Sequence, residues 1–176
     1  MNTTVNIRKA SFSDAIAIAS IYNYYVENTI VTFEENLVSI GEMERRIKQI
    51  SLNYPFLVIE KGNVALGYAY ATPWKDRSAY RFSAEVSVYL HPNEIGKGYG
   101  QLIFKELLNQ LKETKAHALV GGIALPNDAS IALHEKFGFK KIAQFEQVGF
   151  KFGQWIDVAY WELILRNCLK IRIKSV

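Results

Sequence analysis

Apolar and polar positions along the chain change period several times, and each change marks an element. Val5 to Lys9 predicts a first strand. Ser11 with Asp14 three residues on has the form of a capping box for a helix from about Asp14 to Glu27, with Ile16, Ile18, Ala19, Ile21, Tyr22 and Tyr25 as its apolar positions. Asn28 to Leu37 is a polar and aromatic connection, and Ser39 with Glu42 caps a second helix to about Ser51. Pro55 to Lys61 and Val64 to Thr72 read as an antiparallel strand pair joined at Gly62-Asn63, a short turn of hairpin type. A loop from Pro73 to Tyr80 carries Trp74, Arg77 and Tyr80.

The next stretch organises the rest. Ser83 to Leu90 is β-branched and aromatic with one acid, Glu85, inside it. His91-Pro92-Asn93 breaks the run, and Gly96, Gly98 and Gly100 open an amphipathic helix from Gln101 to Lys112. A strand at Ala118 to Ile123 follows, then a helix from Asp128 to Phe137 capped by Asn127, then strands around Lys141 to Glu146 and Asp157 to Leu165. No internal repeat, low-complexity segment or linker interrupts the series, so one domain is expected over 1–165, followed by a basic tail at 166–176.

Glycines two apart before a helix let the backbone approach a ligand with several N–H groups pointing outward, where the helix dipole adds partial positive charge. The stretch is therefore a candidate phosphate cradle. The dinucleotide fingerprint is excluded, because the neighbourhood that would hold its acid is Ala118-Leu119-Val120-Gly121. The P-loop is excluded as well, because Lys97 lies between glycines with no Ser or Thr after it.

Val88-Tyr89-Leu90-His91-Pro92, Gly96-Lys97-Gly98-Tyr99-Gly100, Asn127-Asp128-Ala129-Ser130 and Leu133-His134-Glu135-Lys136-Phe137-Gly138-Phe139 together resemble the acetyl-CoA motifs of the GCN5-related N-acetyltransferase (GNAT) superfamily, in order. Arg77 to Arg81, Glu85 and Val148 to Gly153 resemble its phosphinothricin and methionine sulfoximine acetyltransferase branch. The likeness runs over about residues 5 to 165. It implies a mixed α/β fold with a mostly antiparallel sheet and flanking helices, acetyl-CoA as co-substrate, and direct transfer to the amino group of a small amino-acid-like acceptor. Where the superfamily has Gln or Arg at the start of the glycine turn this chain has Ile95, whose main-chain N–H is still available to a pyrophosphate.

The resemblance also assigns roles. Val88, Tyr89, Leu90, Gly96, Lys97, Gly98, Tyr99, Gly100, Gln101, Asn127 and Ser130 are expected at the cofactor, with Asn127 serving as helix cap, pantetheine contact or both. Glu85 is the candidate general base, its rival role being a structural acid paired with Arg81 or a lysine. His134 is either the general acid for the departing thiol, or a residue that hydrogen-bonds the cofactor or a neighbouring carbonyl. The Leu90 N–H is the expected donor to the thioester oxygen. Phe33, Arg77, Tyr80, Glu85 and Lys151 are candidates at the acceptor, with Thr32 and Glu34 beside them. Arg suits a bidentate grip on a carboxylate or phosphinate. Phe33 could equally be packing, and Lys151 a surface charge. Other readings remain: a protein N-terminal or polyamine acetyltransferase, or a CoA-binding protein without catalysis.

Composition narrows the partners. Of 21 basic residues, Arg166, Lys170, Arg172 and Lys174 lie in the tail; without them the 17 that remain equal the 17 acidic ones, which argues against nucleic acid. There is no run of eighteen apolar residues and no signal-peptide pattern, so no membrane span and a cytoplasmic location are expected. Cys168 is the only cysteine, and His91, His117 and His134 have no ligand spacing, so no metal is expected. Trp155, Tyr160 and Trp161 on the last strands, together with the resembling branch, point to a homodimer.

Overall fold

The structure, a computed structural model, describes residues 4–165, so Cys168 and the four basic tail residues lie outside the described residues. The strands are β1 (Val5–Lys9), β2 (Phe56–Lys61), β3 (Val64–Pro73), β4 (Ser83–Leu90), β5 (Ala118–Ala124), β6 (Lys140–Lys151) and β7 (Gln154–Ile164). They form one sheet in the order β1-β2-β3-β4-β5-β7-β6. Every neighbouring pair is antiparallel except β4 and β5. The helices are α1 (Ala15–Asn28), α2 (Ile40–Ser51), α3 (Tyr99–Lys112) and α4 (Asp128–Lys136). This is the expected mixed α/β fold.

Strand residues point alternately to the two faces of the sheet, and the core divides accordingly. Phe56, Val58 and Tyr68 pack with Ile18, Tyr22, Tyr25, Met43 and Ile47 of α1 and α2. The alternate set, Leu57, Ile59, Ala69, Ala84 and Val86, packs with Ile103, Phe104, Leu107 and Leu111 of α3. Burying side chains of this size contributes about 1.5 to 3 kcal/mol each, so the two helical layers hold the sheet rigid between them.

Local chemistry fixes the element ends. Asp14 accepts from the Ser11 N–H at 2.7 Å and its hydroxyl at 2.8 Å, and it binds Arg8 at 2.7 Å. Arg8 also reaches Glu60 at 2.8 Å, so one guanidinium ties β1, β2 and the start of α1 together; the same contact holds the Asp14 carboxyl down at about 2. Gly62 and Asn63 both have positive φ, 58° and 62°, as a two-residue hairpin turn requires. The Ser39 hydroxyl accepts from the Glu42 N–H at 3.2 Å.

Two expectations need correction. β6 continues past Glu146 to Lys151 through an irregular stretch between Phe145 and Gly149. There Gln147 has φ 52° and donates its N–H to Asp157 at 2.9 Å. Trp161 is not surface: it is 2% exposed, and its indole N–H donates to Glu135 at 3.1 Å. Trp155, near the hairpin end of the same strand, is 63% exposed and meets the exposed Phe150 ring at 4.9 Å; Ile142, Phe145, Val148 and Phe152 are exposed elsewhere on β6 and its turn.

Candidate active site

The site begins where β4 and β5 part. Their parallel register ends at Glu85 opposite Val120. Beyond it, residues of both strands line a cleft of about 430 Å³ that runs from the α3 and α4 side of the sheet to Tyr25 and Val31 on the α1 side. The phase of the β3 to β4 ladder decides which backbone groups face it. His91 donates its N–H to the Leu66 carbonyl at 2.8 Å, and Leu90 stands opposite Gly67. Antiparallel pairs alternate between bonded and non-bonded, so the N–H and carbonyl of Leu90 turn away from β3 and toward the cleft, as do those of Val88 and Val86. The Leu90 carbonyl accepts from the Tyr25 hydroxyl at 2.6 Å.

At the mouth lies the glycine turn. Gly96 has φ 81° and Gly98 φ 84°, a conformation L-residues rarely adopt, and a side chain at either would enter open space. Gly98 is the N-cap of α3, so unpaired N–H groups of the first turn sit at the rim. Of the residues expected at the cofactor, all line the cleft except Lys97 and Tyr99. Lys97 is exposed and paired with Glu94 at 3.2 Å. Asn127 caps α4 by accepting from the Ser130 N–H at 3.2 Å. Ile95 also lines the cleft, half-exposed. An open strand edge facing a helix N-terminus suits a CoA thioester: the edge offers amide partners for the pantetheine arm, and the turn offers N–H groups for the pyrophosphate.

Glu85 and His134 fall on opposite faces of the sheet. A Cβ on Gly122 would come within 3.0 Å of the Glu85 Oε1 and 3.2 Å of the Tyr160 ring, so both residues stand over Gly122, which lines the cleft. Glu85 has neither a hydrogen bond nor an ion pair among the described residues, and burial pushes its pKa up, opposed by the charge of Lys75. The pairing with Arg81 does not occur; that guanidinium lies 4.5 Å from the Phe82 ring and bonds the Ser78 carbonyl. His134 packs on Gly121 from the α4 side, and its Nδ1 lies 2.8 Å from the Ser130 carbonyl, so that nitrogen carries the proton. Burial lowers its pKa and keeps the ring neutral, and the buried Nε2 has no partner among the described residues. His134 lines the cleft, and its Nδ1 caps the Ser130 carbonyl.

On the acceptor side the expected residues divide. Arg77 is exposed at the start of a 3-10 turn over Ser78–Tyr80, and Tyr80 meets Trp74 edge to face at 5.3 Å. The Thr32 hydroxyl is buried on the Tyr22 hydroxyl at 2.7 Å, and Glu34 is held by Arg46 at 2.8 Å. Phe33 sits on Gly149, and none of Phe33, Arg77, Tyr80, Glu85 and Lys151 is among the residues that line the cleft. Lys151 is no surface charge, being 1% exposed with its Nζ donating to the Thr32 carbonyl at 2.8 Å. Sequence reasoning missed Tyr25 and Lys75. It also missed the cleft-lining Lys136, which bonds Gln101 at 2.6 Å. Lys136 was legible, lying one turn after Ala132 on the cleft face of α4, whereas Tyr25 and Lys75 depend on long-range contacts.

A sheet split between two parallel strands, with a glycine turn and a helix N-terminus at the mouth of the split, defines an acyl-CoA-dependent transferase. Residues 7–160 match the acetyltransferase (GNAT) domain model, and the chain belongs to that family. It is 37% identical over 166 residues to the L-methionine sulfoximine/L-methionine sulfone acetyltransferase of Salmonella typhimurium, covering 92% of this chain and 95% of that one. A phosphinothricin acetyltransferase from Sinorhizobium meliloti, solved in complex with acetyl-CoA, superposes with a TM-score of 0.88 at 35% identity, covering 92% of this chain and 89% of that one. A ribosomal-protein-alanine N-acetyltransferase from Brucella melitensis superposes with a TM-score of 0.89 at 37% identity, covering 91% and 99%. No helix among the described residues is long and apolar enough to cross a membrane.

Proposed function

We propose that this N-acetyltransferase uses acetyl-CoA to acetylate the α-amino group of a small anionic amino-acid-like acceptor such as methionine sulfoximine or phosphinothricin. The observation that carries the reading is Glu85, an unpaired half-buried carboxylate standing against Gly122, a residue that lines the cleft. The similarity to acetyltransferases named for those two acceptors supports it. Acetyl-CoA supplies an acetyl group on a thioester, and in this reading the Leu90 N–H, which turns toward the cleft, polarises its carbonyl. An amine bound as ammonium has a pKa of about 8 or above, so its proton must leave before attack; Glu85 receives it, directly or through water. The new C–N bond forms as the C–S bond breaks, and the remaining proton shed by the attacking nitrogen passes to the departing thiolate, directly or through water. The departing thiol, with a pKa of about 8.5, asks less of the protein than the amine does, in keeping with a neutral His134. Arg77 meets the acceptor's acid group, with Tyr80 beside it.

The exposed apolar strip on β6 and β7, with Trp155 at its end, supports a homodimer joined through that edge of the sheet, and the enzyme works in the cytoplasm. A second reading, acetylation of a protein N-terminus, is favoured by the likeness to the ribosomal-protein-alanine enzyme. Titration calorimetry with acetyl-CoA followed by a thiol-release assay separates an enzyme from a CoA-binding protein without catalysis. Saturable binding with release only when an amine is added is expected. Binding without release for any amine would contradict the proposal.

A further inference from the structure

Lys151 ends β6 in an environment that is costly for a cation. It is 1% exposed, its Nζ lies 4.9 Å from the centre of the Phe152 ring, and burial pushes its pKa down against the charges of Glu35 and Glu34. Its contact is the Thr32 carbonyl, 2.8 Å away. A methionine would fill the same space without an ammonium to desolvate, so the sequence carries the lysine at a cost in stability.

What the lysine holds is the connection between α1 and α2. Two residues before it, Gly149 lies directly under the Phe33 ring, which a Cβ there would displace. β6 thus grips consecutive residues of the connection, Thr32 by its carbonyl and Phe33 by its ring. From the opposite side the Tyr22 hydroxyl meets the Thr32 hydroxyl at 2.7 Å and Glu34 at 2.8 Å, and Arg46 fixes Glu34. Val31, next to the gripped pair, lines the cleft at its α1 end, away from the glycine turn.

We propose that Lys151 is a positioning residue for the acceptor end of the cleft: through the Thr32 carbonyl it fixes the connection carrying Val31 and Phe33, and so sets the wall an amine acceptor meets. It acts through the loop and touches neither substrate. The role rests on the acceptor reading above, but the clamp can be tested without it.

Hydrogen exchange and steady-state kinetics on Lys151→Met decide the matter. Amides of residues 29–37 should exchange at least tenfold faster while those of α3 are unchanged. KM for methionine sulfoximine should rise about tenfold, with KM for acetyl-CoA within twofold of wild type. Gly149→Ala, which dislodges Phe33 and leaves the lysine, should give the same split and stands in if Lys151→Met does not fold. Unchanged exchange in the connection, faster exchange throughout the chain, an equal rise in both KM values, or loss of the fold in both variants would overturn the proposal. If the wild type acetylates no amino acid, the acceptor reading fails while the exchange data still decide the clamp.

Discussion

Glu85 costs stability by its burial, and in the proposed function it is also the base. Burial raises its pKa above the ordinary 4.5, so the folded state favours the protonated acid. Below pH 4.5 the folded and unfolded states both hold the proton and nothing is lost; as pH rises through the higher folded value, ionising the buried group makes folding less favourable. Glu85→Gln removes that penalty and the base together. Its Tm should exceed that of wild type at pH 8 and match it at pH 4, while kcat falls roughly 10²-fold. Wild-type kcat/KM should rise with pH through the same elevated pKa. A near-normal rate for the variant at pH 7 would move the base elsewhere. Arg77 makes a second prediction at this scale. Arg77→Ala should raise KM for methionine sulfoximine by the equivalent of about 1.5 to 3 kcal/mol, typical of a hydrogen bond to a charged group, and leave its carboxamide almost unaffected. Equal losses for acid and carboxamide would mean that Arg77 shapes its loop and does not read the carboxylate.

At the scale of elements, the turn before α3 ties conformation to binding. Gly96 and Gly98 are needed for their positive φ, whereas a Cβ on Gly100 would meet only the Leu90 side chain at 3.5 Å. Gly98→Val should leave the circular dichroism spectrum near wild type and lose calorimetrically detectable acetyl-CoA binding, because a β-branched residue there distorts the rim and fills it. Unchanged affinity would rule out the cradle. These local features are the ones that sequence reveals: strand β4, the N-termini capped by Ser11, Ser39 and Asn127, and the hairpin turn were legible because their signals lie within a few residues. The far end of β6 was not, since its glycine and the positive φ of Gln147 resemble a strand end. Trp161 and Lys151 were misjudged for a different reason. Their burial is set by Glu135 and by Thr32, 26 and 119 residues away, and no local pattern carries such distances. The same limit hid the neutral state of His134, which follows from its burial between α4 and Gly121.

For the whole molecule, the proposed function divides two tasks across the sheet, giving the glycine turn and α4 to the cofactor and the α1 side with the Arg77 loop to the acceptor. The apolar strip along β6 lies at the sheet edge, where an unpaired strand and exposed aromatic rings together favour a partner. Light scattering at micromolar concentration should therefore give about twice the chain mass, and replacing Phe150 and Trp155 by polar residues should shift it toward the monomer; a monomeric wild type would count against the dimer. The acceptor is the central claim, and one comparison tests it most directly: kcat/KM for methionine sulfoximine against that for an alanine-initiated peptide, both with acetyl-CoA. The account predicts a preference for the amino acid of at least 10²-fold, with the acetyl group on its α-nitrogen by mass spectrometry. Equal or better turnover of the peptide would contradict it and assign the cleft to protein N-termini.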